Sequence, residues 1–156
     1  MCKNWPEFPI SVDGGATGGL IGDTVIICGG WAHGYVDECY SLTSEKATLV
    51  THMSVRRSGA ASIVFNDDAL WVTGGLYHLT TISVDKFEFL NSTEYVTMIK
   101  TMPGPDLPMA LIGHAMVSIN STCSMVIGGG HGEGANYCLF HSAYVRNSEY
   151  FVTLFI

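Results

Sequence analysis

The sequence predicts an all-β fold assembled from three copies of one strand–turn–strand unit. Three observations predict it. The glycine doublets Gly29-Gly30, Gly74-Gly75 and Gly128-Gly129 recur at intervals of 45 and then 54 residues. A short apolar run precedes each doublet. Turn-forming residues, in the same place each time, separate that run from a second one upstream. A period of this length marks stacked units, none of which buries its apolar faces alone.

Set in register on the doublets without a gap, the preceding fifteen residues open each time on a glycine, at Gly14, Gly59 and Gly113. The runs entering the doublets are Val25-Ile26-Ile27-Cys28, Leu70-Trp71-Val72-Thr73 and Ser124-Met125-Val126-Ile127. The upstream runs are Ala60-Ala61-Ser62-Ile63-Val64-Phe65 and His114-Ala115-Met116-Val117-Ser118-Ile119, whereas the matching first stretch, 15–20, is glycine-rich and weaker. Gly22-Asp23, Asp67-Asp68 and Ser121-Thr122 supply the turns. Each window, 14–30, 59–75 and 113–129, therefore reads as an antiparallel hairpin. The runs are β-branched with little alternation, as in strands covered on both faces. Glycine in the doublet columns tolerates positive φ and close approach of another backbone. A β-sandwich shares the short strands but does not require a doublet in one fixed column three times.

Met53, Arg57 and the run Leu70-Trp71-Val72-Thr73-Gly74-Gly75, together with the two other doublets, resemble the kelch repeat. The resemblance covers nearly the whole chain and implies a sector of a β-propeller with about three four-stranded blades. Residues 1–13 then form a lead-in segment or the end of a preceding blade. Blade one covers 14–56, blade two 57–110 with its link, and blade three 111–156. Cys39-Tyr40-Ser41-Leu42 and Ser92-Thr93-Glu94-Tyr95-Val96 look like third strands, and 103–108 like the link into the next blade. The chain departs from the pattern in two places: the usual fourth-strand tryptophan is missing, and Ile112-Gly113-His114 stands where the third repeat would carry arginine. Closed propellers use roughly four to eight blades, so the chain is expected to be part of a longer protein whose remaining blades it contacts. The apolar C-terminus, Tyr150-Phe151-Val152-Thr153-Leu154-Phe155-Ile156, leaves a strand edge open to aggregation.

Composition narrows the function. The chain is 47% hydrophobic, 13% charged and has a net charge of −7. With Arg56-Arg57 the only adjacent basic pair, it lacks the basic footprint of a nucleic-acid binder. No apolar run approaches the roughly 20 residues of a membrane helix, and 1–10 has no apolar signal core. The stretch 14–19 has no following Lys-Ser or Lys-Thr, and 128–134 lacks G-x-G-x-x-G spacing, so neither reads as a phosphate loop. No cofactor or metal is expected: no two of the five cysteines are spaced C-x-x-C, and no H-E-x-x-H occurs. A copper oxidase on a kelch-like propeller is the enzymatic alternative, and it would need ligands such as His33, Tyr35 and Cys39 to converge.

The reading that follows is a non-catalytic protein-interaction module. In an up-and-down blade, second-to-third and fourth-to-first connections share one end, the partner-binding face that the resemblance implies. Trp31, His33, Tyr35, Tyr77, His78 and His131 fall in the former, Arg56 and Asp106 in the latter. Aromatics and arginine are common interface anchors. Arg57 is expected to be structural, its donors satisfying backbone carbonyls. Cys28 ends one strand and Cys39 begins its antiparallel neighbour, so a disulfide between them is expected. Asn91 and Asn120 head N-x-S/T sequons. Disulfide and sequons together point to an extracellular or cell-surface protein. A cytoplasmic adaptor recruiting substrates to a ubiquitin ligase through a separate BTB-type domain is the alternative.

Overall fold

A computed structural model describes the backbone of all residues except 1–5, 66, 82–83, 105, 108, 121–122, 131–140, 147–148 and 155–156, and side chains except additionally 65, 78–89, 120, 123 and 141–154. The described residues hold fourteen strands and no helix long and apolar enough to cross a membrane.

The first sheet is β1 (Thr17–Ile21), β2 (Thr24–Cys28), β3 (Glu38–Leu42) and β4 (Ala47–His52), antiparallel in chain order. The second is β5 (Ala61–Phe65), β6 (Ala69–Thr73), β9 (Thr93–Val96) and β10 (Thr101–Pro103). Its second-to-third connection is itself a hairpin, β7 (Leu76–Thr81) and β8 (Val84–Phe89), where the sequence suggested only a loop. The third is β11 (Ala115–Asn120), β12 (Cys123–Ile127), β13 (His141–Arg146) and β14 (Glu149–Leu154). Each window thus contains the expected hairpin.

The register corrects one expectation. The residues pairing just before the doublets are Thr17↔Cys28, Ala61↔Thr73 and Ala115↔Ile127. Counting back from them makes Gly15, not Gly14, the equivalent of Gly59 and Gly113. The turn length explains the slip: two residues separate Ile21 from its partner Thr24, whereas three separate Phe65 from Ala69. In the third hairpin a register shift between Ser118 and Asn120 restores the extra residue. A second expectation is corrected too: the second and third repeats are offset by the same number of residues in the pairing register as in the doublets, so Leu111, rather than 112–114, is the equivalent of Arg57.

The same bonds tie successive sheets together. Gly59 N–H donates to Gly15 O and Gly113 N–H to Gly59 O, both at 2.9 Å. Gly30 N–H donates to Arg57 O at 2.8 Å, and Gly75 N–H to Leu111 O at 2.7 Å. These bonds explain the doublets. Gly29 and Gly74 have φ of 66° and 61°, a region that side-chain-bearing residues seldom occupy. A Cβ on Gly29 would stand 2.6 Å from Arg57 O, and one on Gly74 would collide with Leu111 O. The doublet is therefore where the next repeat's backbone lies against the sheet.

Side chains fill the space between sheets. Ile21, Ile26, Cys28, Cys39 and Met53 pack with Leu70, Val72 and Val96 of the second sheet. The weak first stretch is a strand after all: bare Gly19 lets Val64 and Leu70 close onto it. Leu107, Leu111 and Val126 make a smaller core around the third sheet.

Candidate functional site

The connection 29–37 is a compact turn. Gly29 N–H donates to Glu38 O, Val36 N–H to Gly30 O (both 3.1 Å) and Ala32 N–H to Gly34 O at 2.8 Å. Trp31 pairs with Tyr35 as a β-bridge, and their rings meet edge to face at 4.9 Å. Burial raises the Tyr35 phenol above its ordinary pKa. His33 sits exposed at the tip with φ of 57°. The base is closed by the Cys28–Cys39 disulfide, whose Cα atoms are 4.1 Å apart across β2 and β3. Trp31 is 40% exposed on this turn.

The connection 53–60 comes to the same end. Met53 N–H donates to Asp37 O at 2.7 Å and Arg57 N–H to Val36 O at 3.1 Å. Asp37 takes His52 Nδ1 at 3.6 Å and Arg56 Nε at 4.0 Å. With the histidine and arginine side chains more than half exposed, these pairs contribute little to stability; they set out a charged rim beside the aromatic pair. Among the predicted residues, Trp31 and Tyr35 therefore touch each other, His33 lies between them on the same turn, and Arg56 reaches that connection through Asp37. Tyr77 follows Leu76, which bridges Ser58 in the same connection. Asp106 is exposed after β10, and among the described residues no hydrogen bond or ion pair joins it to the Trp31 group. His78 lies on β7, described in backbone only, and His131 lies outside the described residues. Asn91 is exposed, its Nδ2 donating to Leu107 O at 3.4 Å; the Asn120 side chain lies outside the described ones.

Arg57 is buried and bonds Gly74 O at 3.0 Å, Ser92 O at 3.1 Å and the Glu94 carboxylate. Burial lowers its pKa while Glu94 pulls the other way. Glu94 also accepts from Ser54 N–H at 2.8 Å and Ser54 Oγ at 3.0 Å, fastening the fourth-to-first connection to the third strand. The sequence reading missed Glu94, although a carboxylate inside the run Thr93-Glu94-Tyr95-Val96 was the available signal. It also missed Asp37 and His52, for which no pattern pointed to convergence. His114 wedges against Gly74 and Gly129, of the second and third doublets: its Nε2 meets Thr73 Oγ1 at 2.7 Å, its Nδ1 has no partner among the described residues, and burial lowers its pKa to about 4. Cys39 is held in the disulfide and so does not offer the thiolate that a copper site would use. Among the described residues no three His, Cys, Asp or Glu side chains are grouped to hold a metal.

The class thus defined is an all-β protein of repeated four-stranded antiparallel sheets with an aromatic and charged cluster at one end. No family model matches the chain, and no curated protein matches it. Solved structures do match. One titled "Structure of YjhT" aligns with a TM-score of 0.75 at 17% identity, covering 94% of this chain and 47% of that one. That likeness is one of fold. The chain spans about half the length of the YjhT chain.

Proposed function

We propose that the chain is a sector of a kelch-type β-propeller and acts as a non-catalytic protein-interaction module, meeting its partner through the connections at one end of the sheets. The repeated meander and its inter-sheet bonds support the propeller reading. The observation that carries the functional reading is the Trp31–Tyr35 pair, an exposed indole on a stapled turn and beside Asp37, His52 and Arg56. A rigid aromatic loses little entropy on binding, and charged neighbours select the partner.

The disulfide and the exposed Asn91 sequon support an extracellular or cell-surface setting. A glycan on Asn91 Nδ2 leaves that nitrogen one hydrogen, so the bond to Leu107 O is compatible with the modification. A cytoplasmic adaptor would have to hold the same turn with Cys28 and Cys39 reduced.

Capture of binding proteins by the full-length protein tests the reading. Trp31→Ala and Arg56→Ala should each weaken capture, the tryptophan change by roughly 30-fold if it is an anchor. Ile99→Ala, in the turn joining β9 and β10 at the opposite end of the sheets, should leave capture unchanged. Unaltered capture by Trp31→Ala, or equal loss with Ile99→Ala, would refute it.

A further inference from the structure

The Trp31 turn holds an open slot that the other two repeats fill. Trp31 bridges Gly14 on one side and Tyr35 on the other, so it is the middle residue of a short rung. Trp31 N–H donates to Gly14 O at 2.9 Å, and Asp13 N–H donates to Trp31 O at 2.7 Å. Directly opposed residues put their side chains on one face. On that face the Tyr35 ring takes one flank of the indole, edge to face, which leaves at least one indole face outside the pair. The other flank is the Gly14 column, which has no side chain. A Cβ placed there would meet nothing within 4 Å among the described residues, and Gly14 is itself exposed.

The same rung in the later repeats is Ser58 opposite Leu76 and Ile112 opposite Gly130. Both put a side chain in the column that Gly14 leaves bare, and neither has an aromatic across from it. Backbone conformation does not call for the glycine, because Gly14, unlike Gly15, lies outside the left-handed region. The bare position instead gives access to the exposed indole.

The charge around the slot selects its occupant. Asp13 adjoins Gly14, and Asp37 and Glu38 close the turn. The Asp37 carboxylate lies 3.6 Å from His52 Nδ1 and 4.0 Å from Arg56 Nε, past hydrogen-bond range, so it keeps acceptor capacity for a further donor. Arg57, the neighbouring cation, is balanced by Glu94. Asp13, Asp37 and Glu38 thus outweigh Arg56, in a chain of net charge −7. An ammonium or guanidinium against an indole face gains cation–π attraction, and the acidic field speeds its encounter with the slot.

Resting on the interaction reading, we propose that this slot receives a lysine or arginine side chain of the partner, so that the module recognises a basic segment of a protein. The alkyl stem lies over Gly14 against the indole, and the charge sits among the carboxylates of Asp13, Asp37 and Glu38.

Titration of the full-length protein with hexalysine, hexaarginine and hexaglutamate, followed through the Trp31 indole N–H signal in nuclear magnetic resonance, tests this. A basic peptide should bind and shift that signal, and hexaglutamate should not. Gly14→Ile, the residue type that the third repeat carries in this column, should weaken the basic peptide roughly tenfold. Gly14→Ser, the residue type of the second repeat, should weaken it by a smaller factor. Asp13→Asn with Asp37→Asn should weaken it too and flatten its dependence on salt. Circular dichroism checks that each variant is folded; if Gly14→Ile is not, Gly14→Ser binding like wild type overturns the inference. So would a Trp31 signal that no basic peptide moves, hexaglutamate binding as tightly, or basic-peptide binding indifferent to a folded Gly14→Ile. Partner capture separates the two failures. Capture that falls in Trp31→Ala but not in Gly14→Ile overturns the slot and leaves the interaction reading standing, whereas capture unchanged in both overturns that reading itself.

Discussion

Replacing Glu94 by alanine strips a buried guanidinium of its counter-charge. Arg57 and Glu94 are 1% and 2% exposed, so water cannot take over. Breaking such a pair from one side costs about 3–5 kcal/mol. The Ser54 N–H also loses its acceptor at 2.8 Å, a further 1–3 kcal/mol or so if it stays dry. Part of this overlaps, because Arg57 keeps Gly74 O and Ser92 O. The expected total is about 4 kcal/mol, which at a urea slope of about 2 kcal/mol/M lowers the unfolding midpoint by roughly 2 M. The third repeat contains an apolar version of the same position. Leu111 stands where Arg57 does, and Ala143, paired with Val126 as Glu94 is with Val72, stands in the glutamate column. Arg57→Leu with Glu94→Ala should therefore cost less than Glu94→Ala alone. Urea titration of the three proteins by tryptophan fluorescence measures this. A Glu94→Ala variant within about 0.5 kcal/mol of wild type, or a double variant at least as costly as Glu94→Ala alone, would refute the reasoning.

Three other outcomes are expected. Burial lowers the His114 pKa to about 4, from an ordinary value of 6.5. Above pH about 6.5 both folded and unfolded states hold it neutral. As pH falls from there to about 4 the unfolded state alone binds the proton, so up to about 3 kcal/mol of stability should drain away; urea midpoints across that window should flatten in His114→Gln relative to wild type. Replacing Cys28 and Cys39 together by alanine should cost about 2–3 kcal/mol and speed amide exchange at Ala32 and Val36, which hydrogen-exchange mass spectrometry reads. Gly74→Ala puts a methyl against Leu111 O at a φ of 61°, so it should destabilise by about 2 kcal/mol or more, whereas Gly34→Ala, with open space around it, should cost far less in the same thermal melts.

The three hairpins were legible because apolar runs, turns and doublets recur in columns. The disulfide was legible because Cys28 and Cys39 flank one connection. The slip from Gly15 to Gly14 arose because turn length is invisible when one glycine stands in the true column and another just before it. The hairpin β7–β8 was hidden because its residues, such as Asp85, Lys86 and Glu88, break the apolar pattern that marks strands buried between sheets. At the candidate site, Trp31, Tyr35 and Arg56 could be found by residue type and position in the repeat. Asp37 could not, since its role comes from the meeting of two connections 16 and more residues apart along the chain. Glu94 was overlooked because its partner Arg57 lies 37 residues away.

The most direct measurement of the central claim is site-specific photo-crosslinking of the full-length protein to its binding partner. A crosslinking amino acid at Trp31 and another at Ile99 place probes at the two opposite ends of the sheets. Adducts from position 31, and none from position 99, are the result expected of a module that binds through the connections at the Trp31 end. Adducts from position 99 with none from position 31 would contradict it.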